Sequence, residues 1–99
     1  MNDSDIQSSA SSLARLLNDE SIQSFPSREA LEQWLTERII HFLLHDMEKL
    51  LHLLYRIDVQ EKKVKEAFAQ NNPKLIAPML AKLIMDREEQ KIETRKKFR

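Results

Sequence analysis

Apolar residues recur at intervals of three and four along most of this chain, and alternation is never sustained over four residues. That periodicity predicts helices and no strands. Ile6, Ala10, Leu13 and Leu17, with Leu16 beside them, mark a short amphipathic helix over roughly residues 5–18. Serine is a mediocre helix former, so this segment needs tertiary contact to persist. Asn18-Asp19-Glu20-Ser21 ends it, and Phe25-Pro26-Ser27 forms a loop in which Ser27 can cap a second helix beginning at Arg28.

The strongest pattern follows. No Pro or Gly interrupts Arg28 to Ile57. Leu31, Trp34, Leu35, Ile39 and Phe42 form one stripe; Leu43, Leu44, Met47, Leu50, Leu51, Leu54 and Ile57 form a broader one. At about 100° per residue the apolar direction swings by roughly 120° between them, and the later arc covers more than half the circumference. One straight helix over this stretch would be about 45 Å long, against a radius of gyration of about 13 Å for a globule of this size. The helix therefore either projects into a partner or breaks near residues 44–46, where Asp46 could cap the second half.

Asp58-Val59-Gln60-Glu61 resembles a capping box and predicts a further helix to about Gln70, with Val64, Ala67 and Phe68 inward. Asn71-Asn72-Pro73 stops it, Asn replacing the glycine usual at a left-handed helix end. The last helix is expected to start irregularly because of Pro78, and to turn Ile76, Met79, Leu80, Leu83 and Ile84 inward. From Asp86 to Arg99 only Ile92 and Phe98 are apolar, which predicts a charged helix that protrudes and frays. The expected fold is all-α. It is a small bundle of four to five helices with a long central helix, continuous or kinked near 44–46, and a protruding charged C-terminal helix. A serine-rich segment, 1–24, precedes a helical domain, 25–99.

Charge adds to this picture. The 99 residues carry 16 basic and 16 acidic side chains. Residues 1–24 hold seven serines and four acids (Asp3, Asp5, Asp19, Glu20) against Arg15 alone, a net charge of −3, so the remainder carries +3. Opposite signs favour docking of the first segment on the rest. Cysteine and glycine are absent. That excludes disulfides, thiolate metal sites, a cysteine nucleophile and every glycine-dependent phosphate loop. The first residues lack the basic and apolar regions of a secretory signal. Charged and histidine residues interrupt Ile39–Ile57, so no membrane span is expected. Cytoplasmic location is the default expectation.

Leu53-Leu54-Tyr55-Arg56-Ile57-Asp58-Val59, followed by Glu61-Lys62-Lys63, resembles a segment of a family of small, uncharacterised, all-helical bacterial proteins. Those proteins carry an LLYRIDV-x-E-K string and then a helix with the pattern Ala81-x-Leu83-Ile84-x-x-Arg87-x-x-Gln90-Lys91. The likeness covers about residues 27–97. It implies a bacterial helical protein and assigns no activity, cofactor or site residue.

Four constellations carry candidate chemistry. His41, His45, Glu48 and His52 fall within a narrow stripe of about 60° on a continuous helix. Such spacing could present a divalent metal with ligands, although one helix cannot close a tetrahedral site. The bland alternative is a polar face opposite Leu43, Met47 and Leu50. Asp46 would lie in the apolar arc of a straight helix and need Arg38 or Arg56 as a partner. Beside it, Tyr55-Arg56-Ile57-Asp58 reads as an acid–base hint or, structurally, as an edge-filling Tyr55, a bracing Arg56 and a capping Asp58. No nucleophile has a base and an orienting third group, so no enzyme is expected. The tail Arg95, Lys96, Lys97 and Arg99 could meet phosphates. Nearby acids dilute it, and no aromatics interleave for stacking.

The fourth constellation is the apolar girth itself. A chain this small has little core to spare, and burial against a second copy would remove several hundred Å² more from water at about 25 cal/mol per Å². Two-fold pairing is the commonest closed solution. The leading expectation is therefore a protein-interaction or scaffold module forming a homodimer through residues 31–55, with Leu43, Leu44, Met47, Leu50, Leu51 and Leu54 at the interface. The alternatives are a nucleic-acid-associated accessory protein using the basic tail and a metal-binding protein using the histidine stripe.

Overall fold

The computed structural model describes residues 1–19 and 24–97. Five helices occupy them: α1 (Asp3–Leu16), α2 (Arg28–His45), α3 (Met47–Ile57), α4 (Glu61–Phe68) and α5 (Pro73–Lys97). No strand occurs among the described residues. The radius of gyration is 13.1 Å and the longest extent is 40 Å, shorter than the about 45 Å that a straight helix over 28–57 would span.

The break falls at Asp46. Its backbone (φ −155°, ψ 74°) ends α2, and its side chain accepts from the Lys49 amide at 3.1 Å to start α3. The central helix is thus two helices, each with one buried stripe. Asp46 is exposed, so the expected need for a buried arginine partner disappears. Ser27 caps α2 as its position predicts, accepting from the Ala30 amide at 3.1 Å. Asn2 caps α1 in a reciprocal capping box with Asp5.

Among the described residues three adopt left-handed backbone: Asn18, Asp58 and Asn71. All are Asn or Asp, the residue types that tolerate φ > 0 best after glycine. At Asp58 (φ 64°) this corrects the sequence reading. Asp58 is the C-cap of α3 and does not cap α4, which starts only at Glu61; Gln60 ahead of it makes no side-chain cap.

Helix α5 packs most extensively against α2. Leu31, Leu35 and Ile39 of α2 meet Leu80, Ile84 and Met85 of α5 in the fully buried centre, and Ala77 and Ala81 let the backbones approach. Leu50, Leu53, Leu54 and Ile57 of α3 and the small Ala67 of α4 extend this core. Pro78 lies inside α5 without ending it, contrary to the irregular start expected. It is exposed, so the backbone carbonyl it leaves without a donor is near solvent. Met79, expected inward, is 39% exposed.

Helix α1 adds Ile6, Ala10, Leu13 and Leu17 to the same core. Polar ties anchor it. The Gln7 side-chain amide donates to the Phe25 carbonyl at 2.7 Å and accepts from the Phe25 amide at 3.2 Å. Lys96 pairs with Asp5 at 2.9 Å, and Arg38 pairs with Asp19. The expected protrusion of the charged helix is thereby reduced: Ile92 is 6% exposed, and the ion pair holds α5 as far as Lys96. Arg28 ties α2 to α5 through Asp86 at 2.6 Å and through Glu89.

Candidate interaction surface

Position along α3 decides which leucines remain available to a partner. Leu50, Leu53, Leu54 and Ile57 share the face toward α2 and α5. Met47, Leu51 and Tyr55, spaced by four, share the adjoining flank and are 40%, 51% and 85% exposed. Leu44, one residue before the end of α2, is 61% exposed. The six leucine and methionine positions expected at an interface therefore divide. Leu44, Met47 and Leu51 lie on the surface, and Leu43 is half-buried. Leu50 and Leu54 are 0% and 5% exposed and belong to the core of a single copy. The reason is the break at Asp46, which re-aims the second half so that its broad apolar arc is shared between core and surface.

Beside the stripe runs an open groove of about 820 Å³, where Leu51, Leu54 and Tyr55 of α3 face Val59, Val64 of α4 and Leu83 of α5. Its floor is fixed by Arg87. This guanidinium donates to the Asp58 carbonyl at 3.2 Å, lies 3.5 Å from the Asp58 carboxylate and donates to the Gln90 side chain at 3.1 Å. The brace at the α3–α4 turn is thus Arg87, whereas Arg56 points to another hollow beside Arg15 and His52. Tyr55, expected to fill the core edge, stands out into solvent.

The histidine stripe does not assemble. The His41 and His45 rings lie 4.8 Å apart on α2, with His41 edge-on to Phe42. Glu48 and His52 follow the break and line the hollow with Arg15 and Arg56, about 540 Å³ in volume. No group of three or more His, Asp or Glu residues placed to hold a metal occurs among the described residues. Of the basic tail, Lys96 is engaged by Asp5, Arg95 and Lys97 are exposed, and Arg99 lies outside the described residues. No described helix is long and apolar enough to cross a membrane.

One feature escaped the sequence reading. Glu88 is 5% exposed, on the inward face of α5 between Ile84 and Ile92. Burial holds its carboxyl above the usual carboxylate range, against the opposing pull of Lys91, Arg95 and Arg87. The spacing Ala81, Ile84, Glu88, Ile92 continues the core face of α5 at helical intervals and was the available signal. By contrast the Lys96 ammonium, bonded to the Asp5 carboxyl, holds that group below its ordinary value.

Comparison with protein-family models, with curated proteins and with solved structures returns no match.

Proposed function

We propose that this protein is a non-enzymatic helical interaction module that self-associates as a homodimer through the exposed stripe of α2 and α3. The observation that carries the reading is the stripe itself. Leu44, Met47, Leu51 and Tyr55 stay in water although the surrounding core is closed, with Leu50 and Ile57 fully buried on the same helix. Scattered surface apolar residues need no explanation, but a run at helical spacing beside an apolar groove marks contact surfaces. Tyr55 has the character of an interface anchor, a large rigid ring with a polar tip. A second copy supplies the same stripe by two-fold symmetry, so each residue can meet its equivalent or a neighbour of the same chemistry.

Sedimentation equilibrium of the intact chain at micromolar concentration tests this. The expected mass is twice the 11.7 kDa of one copy. The double substitution Leu51→Glu, Tyr55→Glu is expected to sediment as a folded single copy, with unchanged helical circular dichroism. A wild-type chain that stays single throughout this range overturns the proposal.

A further inference from the structure

The crevice between α1 and the second half of α5 combines cations, hydroxyls and one buried acid. We infer that it is a binding site for a tetrahedral oxyanion, of the chemistry shared by sulfate, inorganic phosphate and phosphomonoesters. Its volume is about 400 Å³, and Ser8, Ser9 and Ser12 of α1 face Glu88, Lys91 and Arg95 of α5 across it.

One hydroxyl at this crevice is buried without a partner, beside a largely buried acid. Ser9 is 2% exposed, and its hydroxyl has no hydrogen-bond partner among the described residues. Glu88 has no hydrogen bond or ion pair with any described residue, and only longer-range attraction from Lys91, Arg95 and Arg87 acts on it. A hydroxyl left as Ser9 is destabilises a fold unless something in the cavity meets it. The charge of the crevice says what that is. Arg87 is committed to Asp58, which leaves Lys91 and Arg95 as uncommitted cations at the site. Helix α1 brings no charged side chain to the lining. The acid of the lining, Glu88, is held above its ordinary pKa by burial. Thr94, also in the lining, is turned to the Gln90 carbonyl at 2.9 Å. The three serine hydroxyls of α1 and the two uncommitted cations of α5 are the donors that converge here. An ion with three or four acceptor oxygens can use donors from both helices at once, whereas a planar carboxylate offers two.

Binding is linked to protonation at Glu88. Among the described residues the charged groups acting on it are Lys91, Arg95 and Arg87, all from α5; α1 brings Ser8, Ser9, Ser12 and Leu16 to the crevice, none of them charged. An anion in the crevice disfavours the ionised carboxylate, so affinity falls as pH rises through the Glu88 titration. Sulfate does not itself titrate in the neutral range, which makes it the probe of choice.

The experiment is a titration of the full chain with sulfate at constant ionic strength, followed by amide NMR. Saturable shifts are expected at Ser8, Ser9, Ser12 and Lys91, with affinity weakening as pH rises. Glu88→Gln keeps a donor without a titrating proton, so it is expected to bind with little pH dependence. Lys91→Ala with Arg95→Ala is expected to weaken binding roughly tenfold or more, the factor a single charge-assisted hydrogen bond carries. Both cations are surface-accessible, so that variant tests the site without removing core. Parallel titrations with inorganic phosphate and phosphoserine separate a free ion from a monoester as the preferred source. Absence of saturation, or saturable shifts that survive loss of both cations, or a wild-type affinity independent of pH, overturns the proposal.

Discussion

Leu50 and Leu51 are neighbours of identical chemistry, and truncating each to alanine separates the fold from the interface. Leu50 is fully buried and Leu51 is 51% exposed. Leu50→Ala removes core atoms and leaves a cavity, which costs about 2–5 kcal/mol of folding stability. That is a large part of what a domain of this size possesses. Leu51→Ala leaves the core intact, and its effect falls on association. Full burial of a leucine is worth about 1.5–3 kcal/mol, and about half of that surface remains exposed in one copy. Each copy then forfeits about 1 kcal/mol, and a symmetric pair forfeits about 2 kcal/mol, close to a thirtyfold rise in the dissociation constant. Urea unfolding followed by Trp34 fluorescence reads the first effect, and sedimentation equilibrium across a concentration series reads the second. Leu50→Ala is expected to lower the unfolding midpoint steeply. Leu51→Ala is expected to shift the dimer curve, with a midpoint close to wild type once both proteins are compared at dilution. If Leu51→Ala leaves association untouched, or costs as much fold stability as Leu50→Ala, the division of α3 into a core face and a contact face is wrong.

Three further outcomes follow from the same geometry. The Glu88 carboxyl has a raised pKa in the folded chain, so the native state binds its proton more tightly than the unfolded state. Its ionisation therefore lowers stability as pH rises from the unfolded value through the folded one; urea titrations should show Glu88→Gln gaining on wild type toward high pH and converging with it in acid. The Asp5 pKa is lowered by Lys96, so the contribution of that pair is present above the unfolded value and lost as pH falls through the folded one; added salt should erode it too, and amide exchange in α1 should rise under both conditions. Asp46→Ala removes the acceptor for the Lys49 amide and is expected to cost about 1 kcal/mol in thermal or chemical unfolding.

The fold was largely legible because helix periodicity and caps are local signals. Ser27 before Arg28, Asn71 before Pro73 and the stripe Leu31, Leu35, Ile39 each act within a turn or two, and each stands where its spacing placed it. Asp46 could be read two ways, since a polar residue in an apolar arc either needs a buried partner or breaks the helix; the structure shows the break, within a longest extent of 40 Å. What failed depends on contacts distant in sequence. The Asp58 capping signature is sound as a string, but Arg87, 29 positions away, captures the same turn and α3 ends there in left-handed backbone. Leu50 and Leu51 differ only in which side of α3 meets α5, which no window of sequence states. Glu88 looked like one of many acids in a charged tail until α1 folded over it.

Cross-chain contacts can be read without any substitution. In an equimolar mixture of carbon-13-labelled and unlabelled protein, an isotope-filtered NOE experiment reports only protons facing each other between copies. Cross-chain peaks are expected from the Tyr55 ring to methyl groups of Leu44, Met47 and Leu51. No such peaks at high micromolar concentration, or cross-chain peaks that arise only from a surface remote from α3, would contradict the proposed dimer.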